Sequence, residues 1–353
     1  MRRALLALLA LAVAGAVVFY LLTMPPATEP ASALPVHTPD VANGKYMFTA
    51  GGCAECHAVP VKKCDDLKAN DKVTLAGGRC LKTPYGIFHV PNISPDKETG
   101  IGNWTTIDFV NAMKHGVAPD GSYLYPAFPF GSYQRMSFED LIDLKAYLDT
   151  LPAVKNEVPP HELGFPFNIR RGLGLWHKLY VNGESFVPDP HASAELNRGA
   201  YLVTGPGHCT ECHSSRNLLG GIVKHTEFAG APKPEGKGSV PNITPSDDGI
   251  GDWSEDDIAY LLETGNTPDF DVIGESMARR CKKTWRSSRR RIARPSPPIS
   301  SRCRRAPTRC PNRSRKTKTM RREARRKAAP IATRSTQTSR NSGIEAVRRE
   351  WRS

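Results

Sequence analysis

Two tandem, mainly α-helical domains are the architecture that this sequence predicts, on three observations. The pentapeptide Cys53-Ala54-Glu55-Cys56-His57 returns almost unchanged as Cys209-Thr210-Glu211-Cys212-His213. Each copy is followed by a second matching block. Val90-Pro91-Asn92-Ile93 leads into Gly100-Ile101-Gly102-Asn103-Trp104, and Val240-Pro241-Asn242-Ile243 leads into Gly249-Ile250-Gly251-Asp252-Trp253. Apolar residues recur at helical spacing, and no stretch alternates convincingly over a strand's length. A chain of 353 residues has room for two modest domains plus extensions.

Residues 1–35 form the first element. Met1-Arg2-Arg3 precedes an apolar run from Ala4 to Leu22, which as a helix spans about 28 Å, close to the thickness of a bilayer core. A secretory signal would be cut at a small-x-small site, and Ala31-Ser32-Ala33 lies far beyond this run. An uncleaved anchor keeping Arg2 and Arg3 in the cytoplasm is favoured. Both readings put the rest of the chain outside the cytoplasm. The Pro-rich stretch from Pro25 to Pro39 reads as an extended spacer.

Residues 36–152 make the first domain. A short helix over Val41–Ala50 leads into the first pentapeptide. Thr105 with Asp108 and Ser137 with Asp140 carry the Ser/Thr-x-x-acid pattern that starts a helix. The last helix, from Met136 towards Pro152, sets Leu141, Leu144, Tyr147 and Leu148 at helical spacing. Residues 153–192 are rich in Pro and Gly but also hold Phe165, Phe167, Trp176, Leu179 and Tyr180. A flexible linker has no use for so many aromatics, so this segment is expected to pack along the two domains. Residues 193–278 repeat the plan, with a helix over Ala194–Thr204 and a capping pattern at Ser254 and Asp257. They lack a counterpart to the last helix.

The chemistry lies in the pentapeptides. Two cysteines three apart reach the two vinyl groups of one porphyrin, and the next histidine ligates the iron from below. A thioredoxin-like pair would need a βαβ context that is missing here. A zinc site would gather two ligand pairs round one metal, whereas these pairs fall in separate repeats. The expected cofactors are two covalent c-type haems, with Cys53, Cys56, Cys209 and Cys212 as attachment points and His57 and His213 as proximal ligands. Small helical domains wrapped on such a group fit a class I cytochrome c fold, in which the haem supplies much of the core. Cys64 and Cys80 lie in an insertion after the first motif and are expected to form a disulfide in an oxidising compartment.

A methionine opposite the histidine raises the reduction potential of a haem. Met277 is the one methionine between His213 and the C-terminal tail, and it is expected to ligate the second iron. For the first iron the candidates are Met113, Met136, His89 and His115. Met136 is chosen, because it follows the loop Tyr125–Phe130 and directly precedes the last helix. No further catalytic constellation stands out.

The tail departs from everything before it. Of the 49 basic and 35 acidic residues, 27 and 3 fall in residues 279–353, leaving 22 and 32 in an acidic body. At face value such a tail is disordered and binds nucleic acid or anionic lipid through phosphates. An exported haem protein has little use for that, and no nucleic-acid partner is expected. The genetic code offers another origin. Allowed codons for Trp285 to Arg304, read two nucleotides later, spell AKLPPQDRAAIAAYLKSLP, the pattern of the helix missing from the second domain. The tail therefore reads as a frameshift product beginning near Met277.

The sequences CAECH, VPNISP, GIGNW, YPAFP and MSFEDL resemble those of the multihaem cytochrome c subunits of bacterial periplasmic membrane-bound dehydrogenases, over roughly residues 40–278. The resemblance implies electron relay from an alcohol, gluconate or similar dehydrogenase to a terminal oxidase, quinone or another cytochrome. Many members have an iron-ligating methionine where Phe128 stands. With Phe128 there, either Met136 takes over or the iron is open, and an open iron favours the alternative reading, a peroxidase-type or sulfur-oxidising haem enzyme. The best-known subunits have three haem motifs, so this chain resembles shorter, dihaem members.

Overall fold

Helices dominate the computed structural model, which describes residues 1–58, 74–234, 238–269, 271–274 and 277–278. Helix α1 (Arg2–Leu22) has 21 residues and is long and apolar enough to cross a membrane, by length and composition. Its C-terminal end is tied down. Thr23 is fully buried, and a Cβ added to Gly174 would come within 2.7 Å of its Cα. The Arg171 guanidinium lies 4.0 Å from the Tyr20 ring centroid. The following residues are laid on the first repeat: Asn111 accepts from the Glu29 N–H at 2.8 Å and donates to its carbonyl at 3.0 Å. The Tyr123 hydroxyl donates to the Met24 carbonyl at 2.8 Å.

The first repeat is built on α2 (Val41–Gly51), capped by Asp40, whose side chain accepts from the Ala42 and Asn43 N–H groups. Gly52 ends it in the left-handed conformation and opens α3 (Cys53–His57). Next comes an antiparallel hairpin, β1 (Cys80–Thr83) and β2 (Gly86–His89). These strands have four residues each, too few to show alternation in the sequence. Cys80 is disulfide-bonded, and its expected partner, Cys64, lies outside the described residues.

Helix α4 (Thr106–His115) begins with the expected capping box of Thr105 and Asp108 and ends at a left-handed Gly116. A single turn, α5 (Phe130–Tyr133), leads to α6 (Phe138–Asp149), capped by Ser137. Met47, Phe48, Val110, Met136, Leu141, Leu144 and Leu148 join in the core where α2, α4 and α6 meet. Helices α2 and α6 approach so closely at Gly44 that a Cβ there would lie 1.9 Å from the Asp143 carbonyl oxygen. Lys114 is buried under the loop that precedes α6. It donates to the Gln134 carbonyl at 2.6 Å and to the Ser185 hydroxyl at 2.8 Å.

Between the repeats, β3 (Glu162–Leu163) extends the hairpin through β2, and α7 (Leu173–Tyr180) follows. Trp176 packs edge-on to Phe130 at 5.8 Å and against Tyr180 at 4.9 Å. Phe165 and Leu179, in contrast, are 81% and 64% exposed. The expected packing thus holds for only part of the aromatic segment.

The second repeat has α8 (Ala194–Thr204), α9 (Thr210–His213), a short ladder of β4 (Ala231–Pro232) with β5 (Ser239–Val240), and α10 (Glu255–Thr264) behind a Ser254–Asp257 capping box. Tyr201 and Leu202 of α8 belong to the first repeat's core cluster. The buried Tyr201 hydroxyl donates to Asp140 at 2.5 Å and accepts from the Ser137 N–H at 3.2 Å. Gly199 occupies in α8 the place that Gly44 occupies in α2, two residues before the tyrosine. Nothing lies within 4 Å of a Cβ built on Gly199. Among the described residues, therefore, no second-repeat helix covers α8 as α6 covers α2. Residues 279–353 lie outside the described residues.

Candidate haem sites

Each Cys-x-x-Cys-His motif lies on a short helix whose cysteines are half-buried and enter no disulfide. The histidine that ends each helix is oriented by a backbone carbonyl from the second repeated block of its domain. His57 Nδ1 donates to the Pro91 carbonyl at 2.8 Å, and His213 Nδ1 donates to the Pro241 carbonyl at 2.9 Å. This bond fixes the ring and the tautomer and leaves Nε2 as the nitrogen that could take a metal. Burial holds the His57 imidazole down to about 4, against the smaller opposing effect of the Pro91 bond. Burial likewise lowers His213. Burial thus favours the neutral form of both rings, the form that ligates a metal.

The blocks around these prolines are held alike. The Gly77 N–H donates to the His57 carbonyl at 2.8 Å, and the Gly230 N–H to the His213 carbonyl at 2.8 Å. Asn92 accepts from the Ser94 N–H at 2.9 Å, and Asn242 from the Thr244 N–H at 2.8 Å. A Cβ on Gly100 would fall 2.2 Å from the Ser94 carbonyl oxygen, and one on Gly249 would fall 2.2 Å from that of Thr244. The repeated blocks are therefore the scaffold that presents a carbonyl to each histidine.

Two arginines are further site residues that the sequence did not reveal. Arg79 donates to the Glu55 carbonyl at 3.3 Å and Arg216 to that of Glu211 at 3.1 Å, bracing equivalent residues of the two motifs. They stand at unrelated distances from their motifs in the chain, so no repeat pattern marks them.

The segments that lead into the two motifs also touch. His208, directly before Cys209, contacts the Gly51 carbonyl through Nε2 at 3.1 Å. Its ring stands edge-on to Tyr133 at 5.6 Å. The Ser132 hydroxyl donates to Glu211 at 2.7 Å. The chain entering one attachment site thus touches the chain entering the other.

Among the distal candidates, Met277 is half-buried and follows the loop after α10. Met136 is 1% exposed and Met113 is buried in the same core cluster. His89 is engaged by Glu162 at 2.9 Å, and His115 lies 3.6 Å from Glu29. Among the described residues no group of three or more His, Cys, Asp or Glu is placed to hold a bare metal ion. Each motif instead offers two thiols that would fit covalent attachment to a porphyrin and one imidazole that would fit its iron.

The cytochrome c family matches residues 41–152. The chain is 45% identical over 278 residues to a dihaem cytochrome c-type protein of Cereibacter sphaeroides, a match covering 79% of this chain and 90% of that one. It is 39% identical to the fructose dehydrogenase cytochrome subunit of Gluconobacter japonicus, covering 68% of this chain and 48% of that subunit. It is 36% identical to the quinone-type alcohol dehydrogenase cytochrome c subunit of Gluconacetobacter polyoxogenes, covering 67% and 51%. The chain spans about half the length of these two dehydrogenase subunits. Paired attachment motifs, paired proline-oriented histidines and these similarities lead to one conclusion: the chain belongs to the dihaem c-type cytochromes, electron-transfer proteins related to the cytochrome c subunits of membrane-bound quinone dehydrogenases.

Proposed function

We propose that this cytochrome relays electrons on the periplasmic side of the inner membrane, from a dehydrogenase to a terminal oxidase, quinone or another cytochrome. Cys53, Cys56 and His57 hold one haem, and Cys209, Cys212 and His213 hold the other. Met277 is the sixth ligand of the second. The observation that carries this reading is the pair of proximal histidines, each fixed through Nδ1 by a proline carbonyl. Haem supplies one-electron redox chemistry; the residues orient it, shield it from water and set the distance between the two sites. The contact of His208 with Gly51 favours a relay, because it ties the two attachment segments together.

Helix α1 serves as the anchor. The burial of Thr23 and the bonding of Met24 and Glu29 to the first repeat favour an uncleaved helix. Residues after Ala278 are a frameshift product that replaces a last helix, and the bare face at Gly199 supports this. Reading the gene in all three frames tests it, and absence of the helix-encoding frame would sink it.

Delivering less than one electron per chain by pulse radiolysis tests the relay. A first-order, concentration-independent redistribution between the two haems is expected. Purely second-order behaviour would contradict the relay.

A further inference from the structure

The two repeats share one hydrogen-bond pattern through the loop after the capped helix, and that register sets Phe128 of the first repeat against Met277 of the second. Helices α4 and α10 both follow a capping box and both end at a left-handed glycine, Gly116 and Gly265. Each glycine is followed by a bridge, Val117 with Tyr123 and Asn266 with Val272. Inside the bridged loops the Ala118 N–H donates to the Ser122 carbonyl at 2.9 Å, and the Thr267 N–H to that of Asp271 at 2.8 Å. The loops close alike: the Leu124 N–H donates to the Gly116 carbonyl at 2.7 Å and the Ile273 N–H to that of Gly265 at 3.0 Å. Four residues beyond Leu124 stands Phe128, and four beyond Ile273 stands Met277.

Phe128 is half-buried like Met277. It packs beside Tyr133 at 5.4 Å and Phe130 at 6.3 Å between ring centroids, and it borders the core cluster, as Cys53 and Ala54 do. Met136 occupies a different place. It directly precedes the α6 cap, Ser137, and is enclosed in the same cluster as Leu141. That pairing, the residue before the cap with the fourth helical residue, is a hydrophobic staple that sets the entry angle of the helix.

We infer that the first haem receives no methionine from this chain. Its sixth position is an exchangeable site walled by Phe128 and its aromatic neighbours, open in the ferrous state to a small neutral diatomic such as carbon monoxide. This rests on the dihaem reading above. A thioether ligand raises the potential, so the first haem is the lower of the two. Electron transfer from the first haem to the second would then run towards the site held by Met277, with no proton required from the chain's residues.

The test is carbon monoxide titration of the dithionite-reduced full chain, with haem per chain counted in parallel. One carbon monoxide per two haems is expected. Phe128→Met should remove that equivalent and add a methionine-to-iron charge-transfer band in the ferric spectrum. Met136→Leu should leave the stoichiometry unchanged. An added equivalent in Met136→Leu, no binding by the wild type, or binding undiminished in Phe128→Met would each overturn the inference. Fewer than two haems per chain would instead overturn the dihaem reading on which it rests.

Discussion

Alanine at two equivalent glycines should act with opposite sign. In α2 the Cβ of Gly44→Ala would fall 1.9 Å from the Asp143 carbonyl oxygen and 2.8 Å from Tyr147 Cβ. Ordinary contact begins near 3.4 Å, so α6 must retreat by about 1.5 Å, carrying Leu141, Leu144 and Leu148 out of their packing. Overpacking of this kind costs about 1–3 kcal/mol or more, against a gain in helix propensity of about 1 kcal/mol. In α8, Gly199→Ala meets nothing within 4 Å and keeps only the gain, about 1 kcal/mol. Guanidinium unfolding followed by circular dichroism and by the Soret band reads both effects. The midpoint should fall for Gly44→Ala and rise or hold for Gly199→Ala. Loss of stability in Gly199→Ala would mean that α8 is covered, and would refute the argument for a missing helix.

Other outcomes follow from single groups. Burial pushes the Asp143 carboxyl up, but hydrogen bonds from Asn43, the Asp40 N–H and His37 outweigh it and hold the group below its ordinary value. Its contribution is therefore complete above the unfolded-state value and lost as pH falls through the folded one. Acid titration of stability should show this loss below about pH 4, and Asp143→Asn should flatten it. Met277→Ala should abolish the methionine-to-iron band of the second haem, and a band that survives would place the sulfur elsewhere. Lys114→Met, which leaves the Gln134 carbonyl and Ser185 hydroxyl without their donor, should cost about 1–3 kcal/mol in chemical denaturation.

The sequence made the helices and the attachment motifs legible for local reasons. Capping boxes at Thr105 and Ser254 mark helix starts within four residues, and Cys-x-x-Cys-His states its own chemistry. The Val-Pro-Asn-Ile blocks were visible as repeats, but their purpose was not, because the Pro91 carbonyl reaches His57 across 34 positions. The hairpin at Cys80–His89 escaped because its strands are too short to alternate. Arg79 and Arg216 escaped because each works through a backbone carbonyl that any residue could offer. Phe165 and Leu179 read as packing residues, yet packing depends on what neighbours them in space, and their exposure became visible only in the fold.

This chain carries two covalent haems, one expected in each repeat. The most direct measurement is the pyridine haemochrome spectrum of the purified chain after acid–acetone extraction, compared with the Cys209→Ala/Cys212→Ala double variant. The account predicts two haems per chain that resist extraction, falling to one in the variant. A wild-type chain with one haem, or a variant that still holds two, would contradict it.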